Sequence, residues 1–192
     1  MARRPWQCYR KHINRKPYIK KRGARGKDFV HGGADPQIRL FEMGNLSGDV
    51  DFDVKIGVQI MHTVMVSDNT LEAARRSVNR KLQLIGRKNF KYKVRPHPYR
   101  VYRENKMMAF AGADRLQSGM RGSFGKPMGR CAKVRAGQIV LECSTYLRFV
   151  PKVKAAFKTA CYKFPAHCRI VLLESKEEKM EHKVGLPGPK DP

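Results

Sequence analysis

The chain has 192 residues, 41% of them apolar, which suits one ordinary domain with tails. Its formal charge is +25, from 41 Lys and Arg against 16 acids, with a pI near 10.3. Such a surplus calls for a polyanionic partner, and nucleic acid is the expected one. The absence of an 18-residue apolar run excludes a spanning helix, while five cysteines without a CxxC suit free thiols in a reducing compartment rather than a disulfide frame.

Residues 1–27 hold eleven cations and no acid: Arg3, Arg4, Arg10, Lys11, Arg15, Lys16, Lys20, Lys21, Arg22, Arg25 and Lys27. Trp6, Tyr9 and Tyr18 are interleaved with them. Pro5, Pro17, Gly23 and Gly26 rule out a continuous amphipathic helix of the presequence kind. Aliphatic content is too low for the arm to fold alone. It is either a solvated tail or an arm that orders along RNA. Cations mixed with rings that stack on bases favour the second.

Ile38 to Met43 reads as a strand, and Asn45 to Gly48 as a turn. Phe52, Val54, Ile56, Val58 and Ile60 alternate strictly, which predicts a half-buried strand with Gly57 as a bulge or close approach. A helix follows, with Asn69 as its cap, Glu72 as the capping-box partner, and Gly86 as its C′ glycine. Leu71, Ala74, Val78, Leu82 and Ile85 form its apolar stripe. Arg75, Arg76, Arg80 and Lys81 lie off that stripe, as a solvated face or a further RNA contact. Phe90, Tyr92 and Val94 alternate again, and Tyr99 to Arg103 is extended.

The stretch from Arg103 to Gly129, RENKMMAFAGADRLQSGMRGSFGKPMG, has no steady helical or strand period. It carries Gly112, Gly119, Gly122, Gly125 and Gly129 among the cations Lys106, Arg115, Arg121 and Lys126. Met107, Met108, Phe110, Met120, Phe124 and Met128 are costly to leave together in water. Glycines allow close approach to another surface, cations bind phosphate, and apolar tips stack on bases. Loops of this length inside a domain are usually functional. From Arg103 to Arg135 the formal charge is +6, eight cations less two acids, with Arg130, Lys133 and Arg135 on the far side.

Beyond it, Val134 and then Ile139, Leu141, Cys143, Thr145 and Leu147 predict a strand pair about an Ala136-Gly137 turn. Pro151 opens a second helix with the stripe Val153, Ala156, Phe157, Ala160 and Phe164, and Pro165 closes it. Ile170 to Leu173 is the last strand, and the charged, Gly- and Pro-rich residues 174–192 are a surface tail. Two amphipathic helices with about six mainly antiparallel strands predict an α+β fold. The expected organisation is a basic arm at 1–27, one domain at 28–173 containing a loop at 104–129, and the tail.

Catalytic motifs are absent. A phosphate loop ending at Gly125-Lys126 needs glycine at 120 and Ser or Thr at 127, where this chain has Met120 and Pro127. The six histidines show no metal or triad spacing, and Asp114 stands as a lone acid in a basic loop, better read as a turn cap or ion pair than as a base. Cys161, His167 and Cys168 fall short of a zinc set. No cofactor, metal or enzymatic role is expected.

Several runs are similar to the universal large-subunit ribosomal protein family called L-sixteen in bacteria, L-ten-e in archaea and L-ten in eukaryotes. They are Arg3-Arg4-Pro5, Cys8-Tyr9-Arg10, Lys16-Pro17-Tyr18, Leu71 to Arg75, Arg103 to Met107, Ala111 to Arg115, Gly119 to Gly122, Phe124 to Pro127, Gly137-Gln138 and Cys168 to Ile170. The resemblance covers about residues 1–173, and the absence of a long C-terminal extension brings the chain nearer the archaeal form. It implies a hammerhead-like α+β fold on large-subunit rRNA beside the A-site tRNA path. It also implies a cytoplasmic protein that positions tRNA near the peptidyl transferase centre while RNA does the chemistry.

Carried over, the rRNA contacts are Arg3, Arg4, Trp6, Tyr9, Arg10, Lys11, Arg15, Lys16, Tyr18, Lys20, Lys21, Arg22, Arg25, Arg75, Arg103, Asn105, Lys106, Arg115, Arg121, Lys126, Arg130 and Arg135. The loop group nearest tRNA is Met107, Met108, Phe110, Gly112, Asp114, Arg115, Gly119, Met120, Arg121, Gly122, Phe124, Gly125 and Lys126. Further expected partners are 5S rRNA and neighbouring ribosomal proteins, with no membrane and no homo-oligomer. The alternative is a non-ribosomal basic nucleic-acid binder or RNA chaperone, which leaves the glycine-rich loop unaccounted for.

Overall fold

A computed structural model describes residues 4–11, 20–22, 27–29, 34–47, 50–105 and 125–175. In chain order the elements are α1 (Gln7–Arg10), β1 (Lys20–Arg22), β2 (Lys27–Phe29), β3 (Glu42–Gly44), β4 (Val54–Ile60), β5 (Val64–Ser67), α2 (Asp68–Gln83), β6 (Phe90–Val94), β7 (Arg100–Glu104), β8 (Lys126–Val134), β9 (Ile139–Thr145), α3 (Val150–Cys161) and β10 (Cys168–Ser175). They build a five-stranded sheet in the order β10-β4-β9-β6-β3, a three-stranded sheet β5-β8-β7, and a ribbon β1-β2. Every strand pair is antiparallel, so the α+β expectation holds. No described helix is long and apolar enough to cross a membrane.

The alternation along β4 sets the core. Ile56 stands opposite Cys143 and Leu172, Val58 opposite Leu141 and Ile170, and Cys143 opposite Tyr92. Directly opposed residues share a face, and Ile56, Val58, Tyr92, Leu141 and Cys143 are fully covered. The α3 stripe of Val153, Ala156, Phe157 and Ala160 and the α2 stripe of Leu71, Ala74, Val78 and Leu82 join the same buried cluster. The Tyr92 and Phe157 rings meet at 6.3 Å, tying sheet to helix. Covering each Leu or Phe stabilises by about 1.5–3 kcal/mol, so an acid at Val78 or Phe157 breaks this layer. The opposite face is polar: Glu142 is held by Lys55 at 3.1 Å and by Arg95.

Both predicted helical stripes are buried as expected, but the start of α2 differs. Ser67, the last residue of β5, is extended at φ −72° and its hydroxyl accepts the Thr70 N–H at 3.2 Å. Asn69 is therefore inside the helix, and Glu72 leaves the cap to bond Arg75 and Arg76. Two nearby cations outcompete one backbone N–H for that carboxylate. Gly86 does take a positive φ, +97°, after the helix. Gly57 is a close approach: a Cβ there would sit 2.9 Å from Leu173 Cδ1, and the ladder irregularity falls beyond it, between Val58 and Gln59.

Ten strands are present among the described residues, against about six expected. β5 and the β1-β2 ribbon were missed, and the predicted strand at 38–43 shrinks to β3 with Ile38 buried beside it. The expected pairing of the strands around Ala136-Gly137 does not occur. β8 pairs with β5 and β7, whereas β9 pairs with β4 and β6. The chain turns a corner there, at Gly137 with φ +81°, beside a second corner at 61–63. Gln138 O accepts from Ile60 N at 3.1 Å and Thr63 Oγ1 from Ala136 N at 3.1 Å, so both connections cross between the sheets together.

β10 runs from Cys168 to Ser175, longer than the expected strand from Ile170 to Leu173, while residues 176–192 lie outside the described set. Part of the basic arm docks onto β5 and β7.

Candidate nucleic-acid interface

The three-stranded sheet organises the site. β7 and β8 lie side by side, with Glu104 opposite Lys126 and Arg103 opposite Pro127. The glycine-rich segment therefore leaves and returns on adjacent strands, and residues 104 and 126–129 belong to strands rather than to the expected loop. Gly125 closes its root at φ +68°, where a Cβ would lie 2.7 Å from the Glu104 carbonyl carbon. Only glycine takes this turn without strain. Arg103 donates through Nε to the Gly125 carbonyl at 3.1 Å and through Nη2 to the same oxygen. Arg103 is thus a clasp across the root.

The N-terminal arm is fastened to the same root. Arg4 Nε pairs with Glu104 Oε1 at 3.0 Å, and Arg4 Nη2 donates to the Asn105 carbonyl at 3.2 Å. Trp6 Nε1 donates to the Met65 carbonyl in β5 at 2.8 Å. The Trp6, Tyr9 and Tyr102 rings form a triangle, with centroids 5.4, 5.3 and 5.0 Å apart. Burial raises the Tyr9 phenol above its ordinary range, with Glu104 acting in the same direction. Trp6 and Tyr9, expected to stack on bases, pack here on Tyr102 and stay partly exposed. Burying ring against ring in the protein contributes about 0.5–1.5 kcal/mol per pair beyond area.

The remaining candidates divide by position. Lys126 is exposed, Arg135 is exposed, and Arg130 donates to the Ala34 carbonyl at 3.2 Å. Arg135 lines a basic hollow of about 620 Å³ with Tyr99, Arg100 and Lys133, and Arg100 lies 5.7 Å over the Tyr99 ring. Arg75 stands apart. Its guanidinium bonds both Glu72 oxygens, at 2.7 and 2.6 Å, and approaches Met43 Sδ at 3.0 Å. Hydrogen bonding from Arg75, then from Arg76, holds the Glu72 carboxyl below its ordinary range against the opposing effect of burial.

Lys20, Lys21 and Arg22 fall on β1. Arg3, Arg15, Lys16, Tyr18, Arg25, Lys106, Met107, Met108, Phe110, Gly112, Asp114, Arg115, Gly119, Met120, Arg121, Gly122 and Phe124 lie outside the described residues. Arg10 and Lys11 line a second cavity, about 1010 Å³, with Lys158, Tyr162 and Arg169. The sequence reading missed that last trio and Tyr102. The available signal for Tyr162 was an aromatic residue off the apolar stripe and beside Lys163.

The geometry is that of a binding surface: cations on exposed strand ends, a glycine-closed root, and an arm joined to it. Among the described residues no group of three or more His, Cys, Asp or Glu is placed to hold a metal ion. A family model described as ribosomal protein L16p/L10e matches residues 13–171. The large ribosomal subunit protein uL16 of Hyperthermus butylicus is 41% identical over 183 residues, 93% of this chain and 97% of its own length. Those of Dictyostelium discoideum and Pinus taeda are 41% and 40% identical over 174 residues, 90% of this chain and 77% and 73% of theirs. This chain belongs to the ribosomal protein L16p/L10e family.

Proposed function

We propose that the protein is a structural constituent of the large subunit of the cytoplasmic ribosome. It orders rRNA through its arm and basic surfaces and presents residues 104–129 beside the acceptor arm of A-site tRNA, near the peptidyl transferase centre. It contributes positioning and charge neutralisation, and makes or breaks no bond. The observation that carries this reading is the shared root: Arg4, Glu104, Arg103 and Gly125 fasten the arm and both ends of the glycine-rich segment at one place. A segment fastened at its root, with Lys106, Arg115, Arg121 and Lys126 among its glycines, is suited to reaching into a polyanion.

The test is the double variant Arg121→Ala with Lys126→Ala in assembled ribosomes. The expected outcome is slowed tRNA accommodation or stalled late subunit maturation, with the protein's own thermal stability unchanged. Normal translation together with normal assembly would remove the support for the loop's role.

A further inference from the structure

The cavity of about 1010 Å³ lies away from the root of the glycine-rich segment, between the end of α1, the 61–63 corner, the C-terminal end of α3 and the start of β10. Among the described residues four cations line it, Arg10, Lys11, Lys158 and Arg169, together with His62 and His167, and no described Asp or Glu does. They come from segments distant in sequence, so the fold itself gathers like charges into one concavity. Such convergence repels itself unless an anion enters. Tyr162 lies on the wall with 77% of its surface exposed, which is unusual for an aromatic at the end of a packed helix. The His62 and His167 rings, 6.4 Å apart and edge to face, add further flat surfaces.

Cations with no acid, and rings left uncovered beside them, are the parts of a site for an unstacked nucleotide: phosphate on the cations, base on a ring. The volume matches pockets that enclose a molecule of nucleotide size, about 300–1,000 Å³. A-form duplex offers a broad shallow face that does not enter such a concavity. We propose that this cleft takes a looped-out nucleotide of single-stranded rRNA, with its phosphates on Lys158 and Arg169 and its base on Tyr162. This rests on the ribosomal reading above but concerns a separate surface.

Two measurements test it. Native large subunits are irradiated with ultraviolet light, digested with protease and nuclease, and searched for nucleotide–peptide adducts. An adduct on Tyr162, His62 or His167 is expected. Adducts on the arm or on residues 104–129 with none in the cleft overturn this proposal alone. A protein free of all RNA adducts overturns the ribosomal reading as well. In the second, the full-length chain and its Lys158→Gln/Arg169→Gln and Tyr162→Ala variants bind a single-stranded rRNA fragment across a salt series. These side chains are exposed, so folding should survive. The double variant should lower the salt slope by about 1.4, and Tyr162→Ala should weaken binding roughly tenfold with the slope unchanged. Unchanged binding in both variants, or equal binding of the same sequence as duplex, overturns the proposal.

Discussion

Replacing Trp6 by Ala should release the arm without melting the domain. The indole is half-buried, bonds the Met65 carbonyl at 2.8 Å and packs on Tyr9 and Tyr102. A fully covered indole hides about 150–250 Å². Half of that, at about 25 cal/mol per Å², stabilises the docked arm by about 2–3 kcal/mol. The hydrogen bond adds about 1 kcal/mol. The released residues regain conformational freedom, which lowers the net loss to about 3 kcal/mol. At about 1.4 kcal/mol per decade, the docked fraction falls relative to the undocked by more than a hundredfold. Trp6 is absent from the buried core cluster, so global stability should hardly move. Hydrogen–deuterium exchange of the full-length chain measures this directly: amides at 7–11 should lose protection while β4, β9 and α3 keep theirs. Trp6→Phe, which keeps a ring, should lose about 1 kcal/mol. Equal protection at 7–11 in the wild type and in Trp6→Ala would refute the docking scheme.

Gly125→Ala forces a Cβ to within 2.7 Å of backbone at φ +68°. It should destabilise the β7-β8 root by at least about 1–2 kcal/mol, read as a lower denaturation midpoint; an unshifted midpoint contradicts the turn. Burial pushes the Cys131 and Cys143 thiols up to about 12, whereas a hydrogen bond with Cys168 lowers that of Cys161. Maleimide at neutral pH should therefore modify Cys161 well before Cys131 or Cys143, as read by mass spectrometry, and early labelling of either buried thiol counts against the packed sheets. The Glu72 carboxyl is depressed by Arg75 and Arg76, so the stability it contributes is present above its unfolded value and is lost as pH falls through its folded one. Glu72→Gln should accordingly flatten the acid side of a stability–pH curve, and an unchanged acid limb shows that the pair contributes nothing.

Much of this was legible in the residues. Val54 to Ile60, Phe90 to Val94 and the stripes of α2 and α3 carry periods that only one buried face satisfies, and each is buried as read. What the period cannot show is partnership. Ala136-Gly137 reads as a hairpin turn, yet the strands on either side go to different sheets, because the crossing is set by the neighbouring 61–63 corner. Glu72 shows the same failure locally: its spacing fits a capping box, but Arg75 and Arg76 compete for it from the same helix. The arm's charge was plain, whereas its docking through Trp6 and Arg4 depends on Tyr102 and Glu104, about a hundred residues away. The cleft at Tyr162 joins the run 158–170 to residues 10–11 and 62–64, and no spacing in the sequence shows that these three stretches meet.

The most direct measurement is sedimentation of a native cell extract through a sucrose gradient in moderate salt, with the protein followed by antibody or mass spectrometry. The expected result is co-sedimentation with large subunits and translating ribosomes. Recovery at the top of the gradient, above intact ribosomes, would contradict a ribosomal constituent and leave a free basic nucleic-acid binder in its place.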